Sequence, residues 1–176
     1  MSKYPESYVT YLVEFHATRD YFECHELLEE YWKENPNDGL GHVWVGLIQL
    51  AVGLYHERRG NRRGARMMYD QAYSRLKDAD LASHGIHQQH IVDELAVRRA
   101  NVSDPTYPYK DVTMQLIDEE LLELCIRNCE ARHIKWGTPS DLDDSAIIHR
   151  HTLRDRSDVI AAREESLRQK RKSSVE

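Results

Sequence analysis

Between Gly41 and Arg59 the chain is apolar almost all the way round a helical wheel, through Val43, Trp44, Val45, Leu47, Ile48, Leu50, Ala51, Val52, Leu54 and Tyr55. A helix without a polar face is stable only when neighbours cover it on every side. The run cannot serve as a membrane span, because Gln49 and two glycines interrupt it and it falls short of the ~20 apolar residues that spanning needs. The rest of the chain must therefore supply a shell of helices around this one. Gly46 and Gly53 lie seven residues apart, on one face. Glycine costs ~1 kcal/mol inside a helix, so the pair predicts a neighbouring helix that approaches closely.

The shell is legible on both sides. Tyr8, Leu12 and Phe15 recur at helical spacing and predict a helix over Pro5 to His16. Asp20 with Glu23 reads as a capping box. It opens a helix to about Glu34, whose stripe is Tyr21, Cys24, Leu28 and Trp32. Asn35 to Gly39 is a turn, and so is Gly60-Asn61. Further helices are predicted over Arg62 to Lys77, Ile86 to Arg99 and Asp118 to Arg132, with a loop over Val102 to Asp111. The expected fold is all-α: a compact bundle of five to six helices around a buried central helix, without significant β-structure. Tyr55, Gly60-Asn61, Gly64-Ala65, Tyr69 and Ala72 have the spacing of one tetratricopeptide-like hairpin. No second copy follows at a 34-residue period, so the hairpin reads as packing geometry. The helical domain is expected to occupy residues 1–136. After Gly137 the composition turns polar, and 137–176 read as a C-terminal tail with one helix at most, about Val159 to Lys170.

The net charge of −6 argues against nucleic acid as a partner. Arg58, Arg59, Arg62, Arg63 and Arg66 cluster at a turn; the first two are expected to complement a helix C-terminus and the others to be solvated. The cysteines at 24, 125 and 129 form no disulfide framework and no Cys-x-x-Cys pair, which fits a reducing compartment. The first six residues lack the apolar core of a signal peptide. The expectation is a cytoplasmic protein with no membrane association, and its supply of aromatics is compatible with a homodimer.

Two polar pairs stand out. His25 and Glu29 are one helical turn apart on a common face. Gln49 and His56 share a face of the central helix and must find partners there. If the second and third helices pack antiparallel, the pairs could meet across the interface. His25, Glu29 and His56 would then form a ligand set for zinc, manganese or iron, with Glu26 or Gln49 orienting water or acting as base. The same residues could instead form a closed network that fixes helix register. His84, His87 and His90 recur every three residues at a helix start and carry no functional expectation.

The runs Asp20-Tyr21-Phe22-Glu23-Cys24-His25-Glu26-Leu27-Leu28-Glu29-Glu30-Tyr31-Trp32, Ile48-Gln49-Leu50-Ala51 with His56, and Gly60-Asn61-Arg62-Arg63-Gly64-Ala65 resemble one family, the prokaryotic domain of unknown function 309. The resemblance covers about residues 12–78. It implies a small all-α fold and a metal-dependent hydrolase as the activity to test, although the family has no established activity. Carried over by position, its polar hallmarks are His25, Glu26, Glu29, Gln49, His56 and Asn61. Residues 100–176 lie outside the pattern and are expected to be lineage-specific.

Two readings therefore stand open. One is a metal-dependent hydrolase. The other is a non-enzymatic helical module that binds a protein or small ligand, with the His/Glu cluster structural. No nucleophile elbow, phosphate-binding loop or dinucleotide fingerprint decides between them. Side-chain geometry does: ligands converge on a point ~2 Å from each, whereas a closed network bonds directly at ~2.8 Å.

Overall fold

The computed structural model describes residues 2–153 and 157–173; the remainder of the C-terminal tail lies outside the described residues. The apolar run forms one helix, α3 (Gly41–Arg58), and its neighbours bury it almost completely. At a rise of 1.5 Å per residue it is ~27 Å long, the length of the body it organises. Among the described residues no helix is long and apolar enough to cross a membrane.

The predicted hairpin is formed by α3 and α4 (Arg62–Leu76). Gly60 takes a left-handed φ of 88° in the turn. Asn61 caps α4 by accepting from the Gly64 amide at 3.0 Å. A Cβ on Gly64 would lie 2.6 Å from the Asn61 side chain, which explains why the cap is followed by glycine. Along the interface a Cβ on Gly46 would meet Leu76 at 2.5 Å, and one on Gly53 would meet the Tyr69 ring at 2.5 Å. The two glycines bring the helix backbones together as the sequence predicts.

On the other flank lies α2 (Tyr21–Glu34). Asp20 accepts from the Glu23 amide at 3.1 Å, as expected of an N-cap. The reciprocal half of the capping box is replaced: the Asp20 amide donates to Thr18 Oγ1, and the Glu23 carboxylate lies 3.6 Å from Arg150. The first helix departs from expectation at its end. α1 (Glu6–Val13) widens into a π-helical turn, Glu14–Thr18, and stops at Arg19, whose φ of 56° is left-handed. Tyr11 donates its hydroxyl to the Leu47 carbonyl at 2.8 Å, tying this element to the central helix.

The bundle is completed by α5 (Gln88–Asn101), which packs on α4, and α6 (Glu119–Ala131), which packs on α1. α5 begins two residues later than predicted because His87 is its cap, accepting from the His90 amide. Ile86 instead forms an isolated antiparallel bridge with Leu116. Among the described residues no strand is longer than that bridge. The chain then returns across the bundle. Two short helices, α7 (Ser145–Ile148) and α8 (Arg150–Leu153), follow, and α9 (Ser157–Ser173), exposed over residues 161–172, ends the described chain. Ile148 is buried, and Arg150 reaches Asp20 at 2.7 Å.

Candidate functional site

α2 presents the first pair as the spacing requires. His25 Nε2 stands 2.7 Å from Glu29 Oε2, and its Nδ1 lies 3.7 Å from Glu26 Oε1. The other Glu29 oxygen accepts from Lys33 at 2.5 Å. That hydrogen bond, opposed by partial burial and helped by the nearby His25, holds the Glu29 carboxyl below its ordinary value. His25, Glu26 and Glu29 are each about a third exposed, so the group sits at the surface. Beside it Glu23, Glu26, Leu27, Glu30 and Glu34 line a hollow of about 400 Å³.

The second pair faces elsewhere. The Gln49 amide donates to Gln71 Oε1 at 2.8 Å and accepts from Arg75 at 3.1 Å, both on α4. His56 Nδ1 accepts from Arg59 Nε at 3.3 Å and lies 3.3 Å from Asn61 Nδ2, at the turn into α4. Partial burial, with the Arg59 and His151 charges, pushes the His56 ring toward its neutral form. Positions 46, 49, 53 and 56 form one stripe of α3, and that stripe packs on α4. Gln49 and His56 therefore do not close on His25 and Glu29. A row of rings separates the pairs instead: His25 to Phe22 at 5.8 Å, Phe22 to Tyr55 at 5.9 Å, Tyr55 to His56 at 5.8 Å. Among the described residues no group of three or more His, Cys, Asp or Glu is placed to hold a metal ion. The expected convergence of His25, Glu29 and His56 is thus corrected: the first two meet and His56 faces the turn. Glu26 likewise stands at the surface of α2 and Gln49 against α4, rather than around one water.

The basic turn is corrected too. Arg58 is buried, with its guanidinium 4.6 Å from the Tyr21 ring centre. It donates to the Arg19 carbonyl at 2.7 Å, Ser140 Oγ at 3.0 Å and the Ile147 carbonyl at 3.3 Å. Arg62 reaches the carbonyls of Val102, Asp104, Pro105 and Tyr107 and holds their loop. Arg66 and Arg99 share Asp70. Arg63 and Arg66 are exposed, as expected of that part of the cluster.

Three polar groups, two buried and one half-buried, escape the sequence reading. Glu57 accepts from Tyr69 at 2.8 Å and from Arg98 at 2.9 Å, with both charges almost fully enclosed. Asp111 accepts from the hydroxyls of Tyr21, Tyr109 and Ser140 and from the Ser140 amide. His16 has no exposed surface; it lies between Leu12 and the Met114 amide and stacks on Trp136 at 4.4 Å. For Glu57 a signal existed, a carboxylate on a helix with no polar face. For the other two the partners are backbone groups or distant residues that spacing does not reveal. Cys24 is a core thiol, as expected, and burial raises its pKa.

Residues 8–68 match the family described as "Domain of unknown function (DUF309)". Over 171 residues the chain is 43% identical to "Uncharacterized protein YpuF" of Bacillus subtilis (strain 168), covering 97% of this chain and 98% of that protein. No solved structure matches. At that coverage the similarity takes in most of residues 100–176, so that part is shared with this relative. The order of His25, Glu29, Gln49, His56 and Asn61, the helices that present them and these two matches together place the chain in the DUF309 family.

Proposed function

We propose that the chain is a non-enzymatic helical binding module in which the His/Glu pair of α2 is structural. The observation that carries this reading is the direct contact of His25 Nε2 with Glu29 Oε2 at 2.7 Å, while Lys33 takes the other Glu29 oxygen. His25 Nε2 and both Glu29 oxygens already have protein partners, Gln49 is engaged on α4, and His56 at the turn before it. What remains accessible is the outer side of α2, where Glu26, Glu30 and Glu34 surround Leu27. A binding partner there would meet carboxylates, so cationic groups fit that face.

The test is elemental analysis of protein purified without chelator or affinity tag, beside His25→Ala. The expected result is no stoichiometric zinc, manganese or iron. The variant should stay folded, with a stability loss below ~1 kcal/mol, as for an exposed ion pair one turn apart on a helix. Near-stoichiometric metal that disappears in the variant would overturn the reading and restore the metal-dependent hydrolase.

A further inference from the structure

A second hollow, of about 430 Å³, lies at the opposite end of α2's entry turn, between the segments around Asp111 and Ser140. Neither His25 nor Glu29 lines it, so it stands apart from the site above. The volume falls within the range of small-molecule sites. Its floor is Arg19, which is only 3% exposed overall. This residue is held at φ 56°, a left-handed conformation that non-glycine side chains rarely adopt. Residues in that region cluster at binding sites, because surrounding structure must hold them there.

The hydrogen bonding of Arg19 shows which way its charge is turned. Nε donates to the Thr138 carbonyl at 2.9 Å and Nη1 to the Val112 carbonyl at 2.8 Å. Among the described residues Nη2 has no acceptor, and Arg19 lines the hollow. Asp111 does not fill that need. Its nearest oxygen is 3.9 Å from Arg19 Nε, and its carboxylate already accepts four hydrogen bonds from Tyr21, Tyr109 and Ser140. Lys110 stands exposed at the rim, and its backbone carbonyl, not its ammonium, is tied to Arg98. Two cations against one hydrogen-bonded carboxylate leave the hollow with one net positive charge. A buried guanidinium with a free donor is suited to an oxyanion, which it meets with charge-assisted hydrogen bonds. Pro139, Leu142 and the Tyr109 ring supply an apolar wall beside it.

We infer that this hollow binds a small organic oxyanion, a carboxylate or phosphate monoester with a short apolar body, through Arg19 Nη2 and the Lys110 ammonium. The head group lies against Arg19 and the body against Pro139 and Leu142. The inference does not depend on how the His25–Glu29 pair is read, and metal content has no bearing on it.

The test is a titration of the ¹⁵N-labelled full chain with benzoate, phenyl phosphate and inorganic phosphate at constant ionic strength. Expected are saturable amide shifts confined to Lys110–Thr113 and Gly137–Leu142, with an organic anion binding more tightly than inorganic phosphate. The apparent Kd should rise at least tenfold in Arg19→Gly, which keeps the left-handed backbone, and in Lys110→Glu. If Arg19→Gly does not fold, the exposed Lys110→Glu decides alone. Four results would overturn the assignment: no saturable shifts, shifts that sodium chloride reproduces, binding that Lys110→Glu leaves unchanged, or equal binding of phenyl and inorganic phosphate. Whether benzoate or phenyl phosphate binds more tightly tells which head group the hollow takes.

Discussion

Acidification should unfold this protein through one histidine more than through any other single group. The Met114 amide is a donor, so His16 Nε2, 3.0 Å away, must accept and carry no proton. The proton then sits on Nδ1 and is donated to the Leu12 carbonyl at 2.8 Å. Both ring nitrogens are used in the neutral form, and a second proton would face the Met114 N–H. Burial is the largest cause of the shift; it outweighs the opposing Leu12 bond and, with a smaller contribution from the nearby Arg19 charge, pushes the His16 pKa down to about 3. The unfolded chain titrates near the ordinary histidine value of 6.5. Between those two values the unfolded state binds a proton that the folded state refuses, so stability falls as pH falls. The contribution is complete above the unfolded pKa and declines by ~1.4 kcal/mol per pH unit below it. That is ~2 kcal/mol by pH 5, a large part of a net stability of ~5–15 kcal/mol. The assay is urea unfolding from pH 7.5 to 4.5 on the wild type and on His16→Asn, which keeps a donor for Leu12 and cannot titrate. The wild type should lose stability on acidification more steeply than the variant by about that slope. If the variant is too unstable, the His16 ring resonances of the wild type serve, and they should stay unshifted until the protein unfolds. Parallel slopes, or a ring that titrates near pH 6.5 in the folded protein, would refute the reasoning.

Two further predictions rest on the central helix. Gly53→Ala gains ~1 kcal/mol of helix propensity, but its Cβ would lie 2.5 Å from the Tyr69 ring, which is fully buried and bonded to Glu57. Overpacking of ~1–3 kcal/mol should outweigh the gain, so urea unfolding should show net destabilisation, and a stabilised variant would contradict the packing argument. Arg98→Met leaves the buried Glu57 carboxylate without its counter-charge and should cost ~3–5 kcal/mol. Adding Glu57→Gln, which still accepts from Tyr69, should recover a good part of the loss, and a double variant as unstable as the single one would show that the pair is not the cause.

The bundle was legible because its strongest signal is also its simplest. A helix apolar all round demands a shell, and the amphipathic stripes of Tyr8 to Phe15, Tyr21 to Trp32 and Ala65 to Leu76 supply one. Asn61 and Gly64 were legible as a cap and its close neighbour. The π-turn over Glu14–Thr18 was not, since its apolar residues keep a spacing that an ordinary helix also satisfies. The sequence assigns Arg58 to its helix C-terminus and Arg62 to solvent, because arginine near a helix end usually serves one or the other. Their acceptors here are mainly backbone carbonyls from residues 19, 102–107 and 147, and a carbonyl leaves no mark in the sequence.

The misplacement of Gln49 and His56 is more instructive, because the information to avoid it was present. Gly46 and Gly53 mark the side of α3 that a neighbour approaches closely, and Gln49 and His56 fall within the same stripe. Whatever helix packs on the glycines must also receive the glutamine and the histidine. The hairpin spacing from Tyr55 through Ala72 already identifies that helix as α4, joined by a three-residue turn too short to let it pack anywhere else. The His25–Glu29 pair belongs to α2, on another flank of α3. Two glycines and a short turn therefore assign the polar residues of the central helix to α4 and leave the α2 pair to satisfy itself. The side chains do this: Gln71 and Arg75 take Gln49, and Glu29 takes His25. On this argument the polar residues that the sequence shares with its family divide into two groups, those that set the α3–α4 register and those that face solvent from α2.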